Sequence, residues 1–135
     1  MRREPKTRLR LGLQADATRV VLRPVAGAST YEIVRRADDA VIGGVECQPD
    51  KPAAGWLTVV CVEVGEGWRG WGYGSEAVRL LEAEAEVARF RADVDGGNGL
   101  ALYFWLRLGY RPARPKEVPA GRRRGIITMV RVGET

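Results

Sequence analysis

The segment Trp68-Arg69-Gly70-Trp71-Gly72-Tyr73-Gly74-Ser75-Glu76-Ala77 sets three alternating glycines behind an arginine. Glycine carries no side chain, so the backbone N–H groups of such a run stay open to a ligand. A strongly apolar stretch, Trp56 to Val64, comes just before it, and a helical pattern begins at Ser75 just after. A strand that feeds a glycine-rich turn onto a helix N-terminus makes an anion cradle, because free amides and the helix dipole both favour phosphate. The chemistry implied is the holding of a phosphorylated small molecule by Arg69, Gly70, Trp71, Gly72, Tyr73, Gly74 and Ser75. A tight turn that binds nothing is the alternative, and Arg69 can brace the loop as well as pair with phosphate.

Spacing separates this loop from other phosphate loops. A Walker loop ends in Gly-Lys-Ser/Thr, and no lysine lies between Lys51 and Lys116. A dinucleotide fingerprint requires Gly-x-Gly-x-x-Gly, an interval that glycines at 70, 72 and 74 do not give. Arg-x-x-Gly-x-Gly at 69, 72 and 74 instead resembles the pyrophosphate loop of the GNAT N-acetyltransferases. A second element, Asn98-Gly99-Leu100-Ala101 running on to Gly109-Tyr110, is similar to that family's later helix. The resemblance covers roughly residues 19–132, and its wording is nearest to the branch that acetylates ribosomal-protein N-termini.

The resemblance implies a mixed α/β sheet of the GNAT acyltransferase fold, acetyl-CoA as cosubstrate, and an amine acceptor, either a small molecule or a protein N-terminus. It also implies that Val62 and Val64 offer backbone groups to pantetheine in a wedge between two parallel strands. Asn98 would bond the cofactor arm or cap its own helix. Acyl transfer from a thioester needs a neutral amine, so a base is expected. Glu63, the one carboxylate on the apolar strand, is the candidate; a surface or cross-strand carboxylate is the alternative, and Glu46, Asp93 and Asp95 are weaker ones. Strand alternation sets Glu63 on one face with Cys61 and Val59. Trp105 stands where the family often carries a tyrosine that protonates the departing thiolate. Indole N–H has no useful acidity, so the general acid is unassigned.

The elements that must position these groups read as follows. Residues 1–17 form a basic segment with a short strand at Thr7 to Leu11, and residues 18–135 one domain. Strands are expected at Arg19–Arg23, Tyr31–Arg36, Ala40–Cys47, Trp56–Val64, Phe90–Val94 and Gly125–Val132, with another beginning at Tyr110. Helices are expected at Ser75–Ala88, capped by Gly74 or Ser75, and at Asn98–Leu108. Only Val25 to Thr30 separates the first two strands, where the family usually places two helices that wall the acceptor site. These helices are shortened or missing, so the N-terminal segment substitutes, the site is open, or a second subunit closes it as a homodimer.

Composition narrows the classes. The chain has 135 residues, 45% hydrophobic and 29% charged, which suits one soluble domain. No apolar stretch reaches the ~18 residues of a membrane span, and no signal core follows Met1, so a cytoplasmic protein is expected. With no histidine and only Cys47 and Cys61 there is no usual zinc site. Both thiols read as buried, with Cys47 opposite roughly Leu57 in a symmetric hairpin. The net charge of +5 sits on the flanks: Arg122-Arg123-Arg124, with Arg111, Arg114 and Lys116, form a basic loop. That loop suits a solvated hairpin, an acidic acceptor, a phosphate of CoA, or RNA or ribosome contact. No aromatic interleaves its arginines, which argues against nucleic acid. Three readings result: an acetyl-CoA-dependent N-acetyltransferase, a non-catalytic acyl-CoA-binding or interaction protein of the same fold, and a basic RNA- or ribosome-associated module.

Overall fold

The computed structural model describes residues 18–25, 29–118 and 123–133. The expected strand at Thr7 to Leu11 and Arg122 lie outside them. Strands β1 (Val20–Pro24), β2 (Thr30–Arg35), β3 (Val41–Pro49) and β4 (Trp56–Val64) are followed by helix α1 (Tyr73–Glu84) and strand β5 (Arg89–Asp95). Helix α2 (Gly99–Arg107), β6 (Arg111–Pro112) and β7 (Ile126–Val132) complete the chain. The strands form a single mixed sheet in the order β1-β2-β3-β4-β5-β7-β6. Every pairing is antiparallel except β4 with β5. α1 is the crossover that a parallel neighbour requires.

The core lies between one face of this sheet and the helices. Leu22, Ile33, Val45, Leu57, Phe90, Ala92 and Met129 meet Ala77, Val78 and Leu81 of α1, Trp105 of α2 and Leu108 just after it. Val78 and Leu81 are fully buried, each contributing about 1.5–3 kcal/mol relative to exposure. Residues of the other parity, among them Glu46, Arg91, Asp93 and Thr128, belong to the opposite face. No described helix packs over that face, in keeping with the few residues available between β1 and β2.

α1 begins two residues before Ser75 because Gly72, at φ 83°, adopts the left-handed conformation that lets it serve as N-cap. It ends at Glu84, short of the expected Ala88. Glu82 and Glu84 occupy its last turn with no basic residue to offset the helix dipole, and Ala85 is extended.

The β3–β4 hairpin also differs from expectation. Cys47 pairs with Val59, whereas Glu46 pairs with Cys61, so Val60 is an extra residue in β4. This bulge resets the alternation. Val62 and Val64 therefore pack on the same core as Leu57 and Val59, and Cys61 and Glu63 are carried to the other side. Glu63 does not share a face with Val59. Cys47 is buried, but Cys61 is exposed, because the reset takes its side chain out of the core.

Candidate functional site

β4 and β5 are in register only from Trp56↔Arg89 to Val59↔Ala92. Beyond that point the two strands separate, and from Val60 onward β4 is paired on its β3 side alone. A cavity of about 660 Å³ fills the split and continues under the glycine loop. Its walls bring together Val62, Glu63 and Val64 of β4, Arg69 to Ser75 without Trp71, Asp93 of β5, and Asn98 and Trp105 at α2. Trp71 is 66% exposed and stands outside it.

The loop owes its shape to Gly70 and Gly72, at φ 85° and 83°, where a side chain would be strained. The backbone N–H groups of residues 70–75 make no backbone hydrogen bond among the described residues. The first intrahelical bond runs from Glu76 N–H to the Gly72 carbonyl at 3.1 Å. Amides without a backbone partner thus lie at the cavity wall at Gly70 and at residues 72–75, which suits a diphosphate. Gly74 lies against α2: a Cβ there would meet Phe104 and Val64 at 3.4 Å. Arg69 braces rather than projects, its Nε donating to the Val64 carbonyl at 2.8 Å. That engagement leaves Val62 as the less encumbered backbone of the pair. Tyr73 is buried beneath the Arg19 guanidinium, 4.6 Å from the ring centroid, so its contribution to the loop is its amide.

Asn98 caps α2, its Oδ1 accepting the Ala101 N–H at 3.0 Å, and it still lines the cavity. Trp105 is buried, with Tyr110 at 4.7 Å and Phe104 at 5.1 Å between ring centroids. Tyr110 does not extend into a long strand. Its hydroxyl donates to buried Glu82 at 2.7 Å, and burial followed by the Glu82 charge raises its pKa. Tyr103 is exposed under Arg107, away from Trp105. Tyr103 and Tyr110 are therefore both outside the cavity wall, whereas Tyr73 is part of it.

Glu63 reaches the open side of the split together with Cys61. Burial pushes the Cys61 thiol up, and the charges of Glu63 and Glu46 and a hydrogen bond with Glu63 push it further. The sequence contains no signal for this thiol, because the bulge that exposes it is a register event. Asp93 has a different environment. Its Oδ1 accepts from Arg91 Nε at 3.1 Å and Thr128 Oγ1 at 2.9 Å, and its Oδ2 from Arg91 at 3.0 Å and Arg123 at 3.2 Å. Burial raises its pKa, but these hydrogen bonds and the two guanidinium charges outweigh burial and hold it below the ordinary carboxylate value. Asp93 is thus a fixed anion and a poor base. Asp95 caps the turn after β5 by accepting the Gly97 N–H at 2.8 Å, and Asp95 is not in the cavity wall.

Among the described residues no cluster of His, Cys, Asp and Glu could hold a metal ion, and no helix is long and apolar enough to cross a membrane. The family model described as Acetyltransferase (GNAT) family matches residues 7–110. Among solved structures, an acetyltransferase from Thermus thermophilus is similar at 21% identity and TM-score 0.63, over 76% of this chain and 62% of that one. Arabidopsis thaliana Naa50, in complex with the bisubstrate analogue CoA-Ac-MVNAL, is similar at 18% identity and TM-score 0.59, over 78% and 74%. A GNAT family acetyltransferase from Elizabethkingia anophelis with acetyl-CoA bound is similar at 12% identity and TM-score 0.63, over 84% and 98%. No curated protein matches the chain.

Proposed function

The chain belongs to the acetyltransferase (GNAT) family, and from that premise we propose that it moves an acetyl group from acetyl-CoA to a primary amine by direct attack. The observation that carries this reading is the continuity of one cavity from the glycine-loop amides, through the β4/β5 split, to Glu63. The amides of residues 70–75 would hold the pyrophosphate, and the unpaired edge of β4 near Val62 would align the pantetheine arm and polarise the thioester carbonyl. The amine nitrogen bonds to the carbonyl carbon, the carbon–sulfur bond breaks, and CoA leaves as thiolate. The proton lost by the ammonium passes to Glu63 directly or through water. A thiol pKa near ~8.5 makes that thiolate a tolerable leaving group without an acid.

Trp105 supports a second reading, in which the fold binds acyl-CoA without turning it over. The Naa50 complex makes a protein N-terminus one acceptor to screen beside small amines.

Calorimetric titration with acetyl-CoA tests the cofactor half, using a Gly72→Glu/Gly74→Glu double variant as control. Micromolar affinity lost in the variant is the expected result, and no binding by the native chain would sink the proposal. Release of CoA with an amine panel then separates the enzyme from the non-catalytic binder.

A further inference from the structure

The two sides of the β4/β5 split carry opposite charge on the sheet face opposite the helices. On the β3/β4 side Glu46 stands beside Cys61 in register, and Glu63 follows two residues later on the same face. Both carboxylates act on the Cys61 thiol, so both are close to it. Neither has an ion pair with any cation among the described residues, whereas Glu32, one strand further out, is paired with Arg23 at 2.6 Å.

On the β5/β7 side Asp93 is in the cavity wall but is over-neutralised. Arg91 and Arg123 both pair with it, at 3.0 and 3.2 Å, leaving one net positive charge. Arg91 is 10% exposed at its side chain and is committed in a two-point contact with Asp93. Arg123 is 68% exposed and gives Asp93 a single hydrogen bond, so most of its donors remain available beside the cavity wall at Asp93. Asp93 is anchored from a third direction by Thr128, which fixes where Arg123 sits.

We propose that the acceptor is an amine that also bears a carboxylate, an amino-acid-like zwitterion, its ammonium toward Glu46 and Glu63 and its anion toward Arg123. The inference rests on the acetyltransferase reading above and specifies its substrate class. A simple alkylamine would satisfy one wall and leave the remaining donors of Arg123 unused. A diamine would bring a second cation to a wall that is already positive. The ammonium is drawn to the carboxylate that then takes its proton, so selection and deprotonation use the same group. Because Glu46, Glu63 and Arg123 are exposed, each charge pair is worth a factor of about 3–5 in kcat/KM.

The test measures CoA release with a ladder of ω-amino acids from glycine upward, against n-alkylamines and α,ω-diamines of matched length. Acetyl-CoA affinity is measured on the same samples. The native chain is expected to favour one ω-amino acid over its alkylamine counterpart by about three- to fivefold and over its diamine counterpart by about tenfold. Arg123→Glu should invert the order toward the diamine with acetyl-CoA affinity retained, and Glu46→Gln should lower kcat/KM about threefold in all three series, because each of them carries the ammonium. A native preference for the diamine or the alkylamine would overturn the proposal. So would an order that survives Arg123→Glu, or binding of acetyl-CoA with no turnover of any of the three series. Failure to bind acetyl-CoA at all would instead remove the acetyltransferase reading on which the proposal stands.

Discussion

Arg69 Nε donates to the Val64 carbonyl at 2.8 Å, tying the first residue of the glycine loop to the last residue of the strand that forms the split. The arginine thereby sets the loop's height over the cavity whose wall it joins. Arg69→Gln is expected to weaken acetyl-CoA binding by about tenfold, the loss of one charge-assisted hydrogen bond. The slope of affinity against salt should stay the same, because no phosphate contact is lost. Calorimetry at two salt concentrations checks this, and a shallower slope in the variant would mean that Arg69 meets phosphate directly.

The two thiols should react very differently. Cys47 is buried, and burial with the nearby Glu46 charge pushes its pKa to about 11. Cys61 is exposed in the cavity wall, with its pKa raised. Iodoacetamide should modify Cys61 alone in the folded chain, with a midpoint above the ordinary thiol value of ~8.5. Glu46→Gln should lower that midpoint, and acetyl-CoA should slow the reaction. Mass spectrometry of the alkylated peptides reads all three, and equal labelling of Cys47 would contradict its burial.

Much of this was legible in residue patterns, and what was not legible has a common cause. The apolar run Trp56–Val64 marks β4 to the residue, and the Asn98 cap is visible because side-chain capping is a local rule. The glycine loop is legible because its signal is an absence of side chains. What escaped depends on register. A single extra residue, Val60, turns Cys61 and Glu63 to the other face, and no local propensity marks it. The pairing of Arg123 with Asp93 joins residues thirty positions apart, and the sequence offered only a basic loop of several possible uses.

Trp105 is the residue at which catalytic power can be tested directly. Trp105→Phe keeps an aromatic ring against Tyr110 and should leave kcat within about threefold, because indole donates no useful proton. Trp105→Tyr should raise kcat by roughly a hundredfold, the lower end of the range for a positioned acid. Steady-state kinetics with a turned-over amine decides it. A tyrosine variant no faster than the phenylalanine variant would show that thiolate release is not assisted from this position.

Acid should loosen the β5–β7 side of the cleft in a defined window. Asp93 is held below its usual 3.8 despite burial, and hydrogen bonds from Arg111 and the Arg114 amide take Glu117 from 4.5 to about 2. Groups with a depressed folded pKa add stability above the unfolded value and lose it as pH falls through the folded one. The Glu117 contribution should therefore be complete above 4.5 and fade toward about 2. Thermal unfolding followed over that range should show a shallower acid limb for Glu117→Gln and for Asp93→Asn. Both pairs are reached by solvent, so added salt should shrink the difference. An unchanged acid limb in both variants would remove these pairs from the acid response.

Gly43 lies opposite Val64 in the β3/β4 ladder, and a Cβ built on it would sit 2.0 Å from the Glu63 carbonyl oxygen and 3.0 Å from the Val64 Cα. Both obstacles are backbone, so no rotamer change relieves them, and the hairpin would have to open at the mouth of the split. Gly44 is the internal control, since its Cβ would come only to 3.5 Å from the Tyr31 carbonyl. Gly43→Ala is expected to cost about 3 kcal/mol, the upper end for overpacking, and Gly44→Ala under about 1 kcal/mol. Urea unfolding midpoints give the comparison. The displaced β4 end carries Glu63, so Gly43→Ala should also depress turnover beyond what its stability loss explains. If the two alanine variants unfold alike, the close approach of β3 to β4 at Glu63 is wrong, and with it the narrow mouth that presents this carboxylate to an amine.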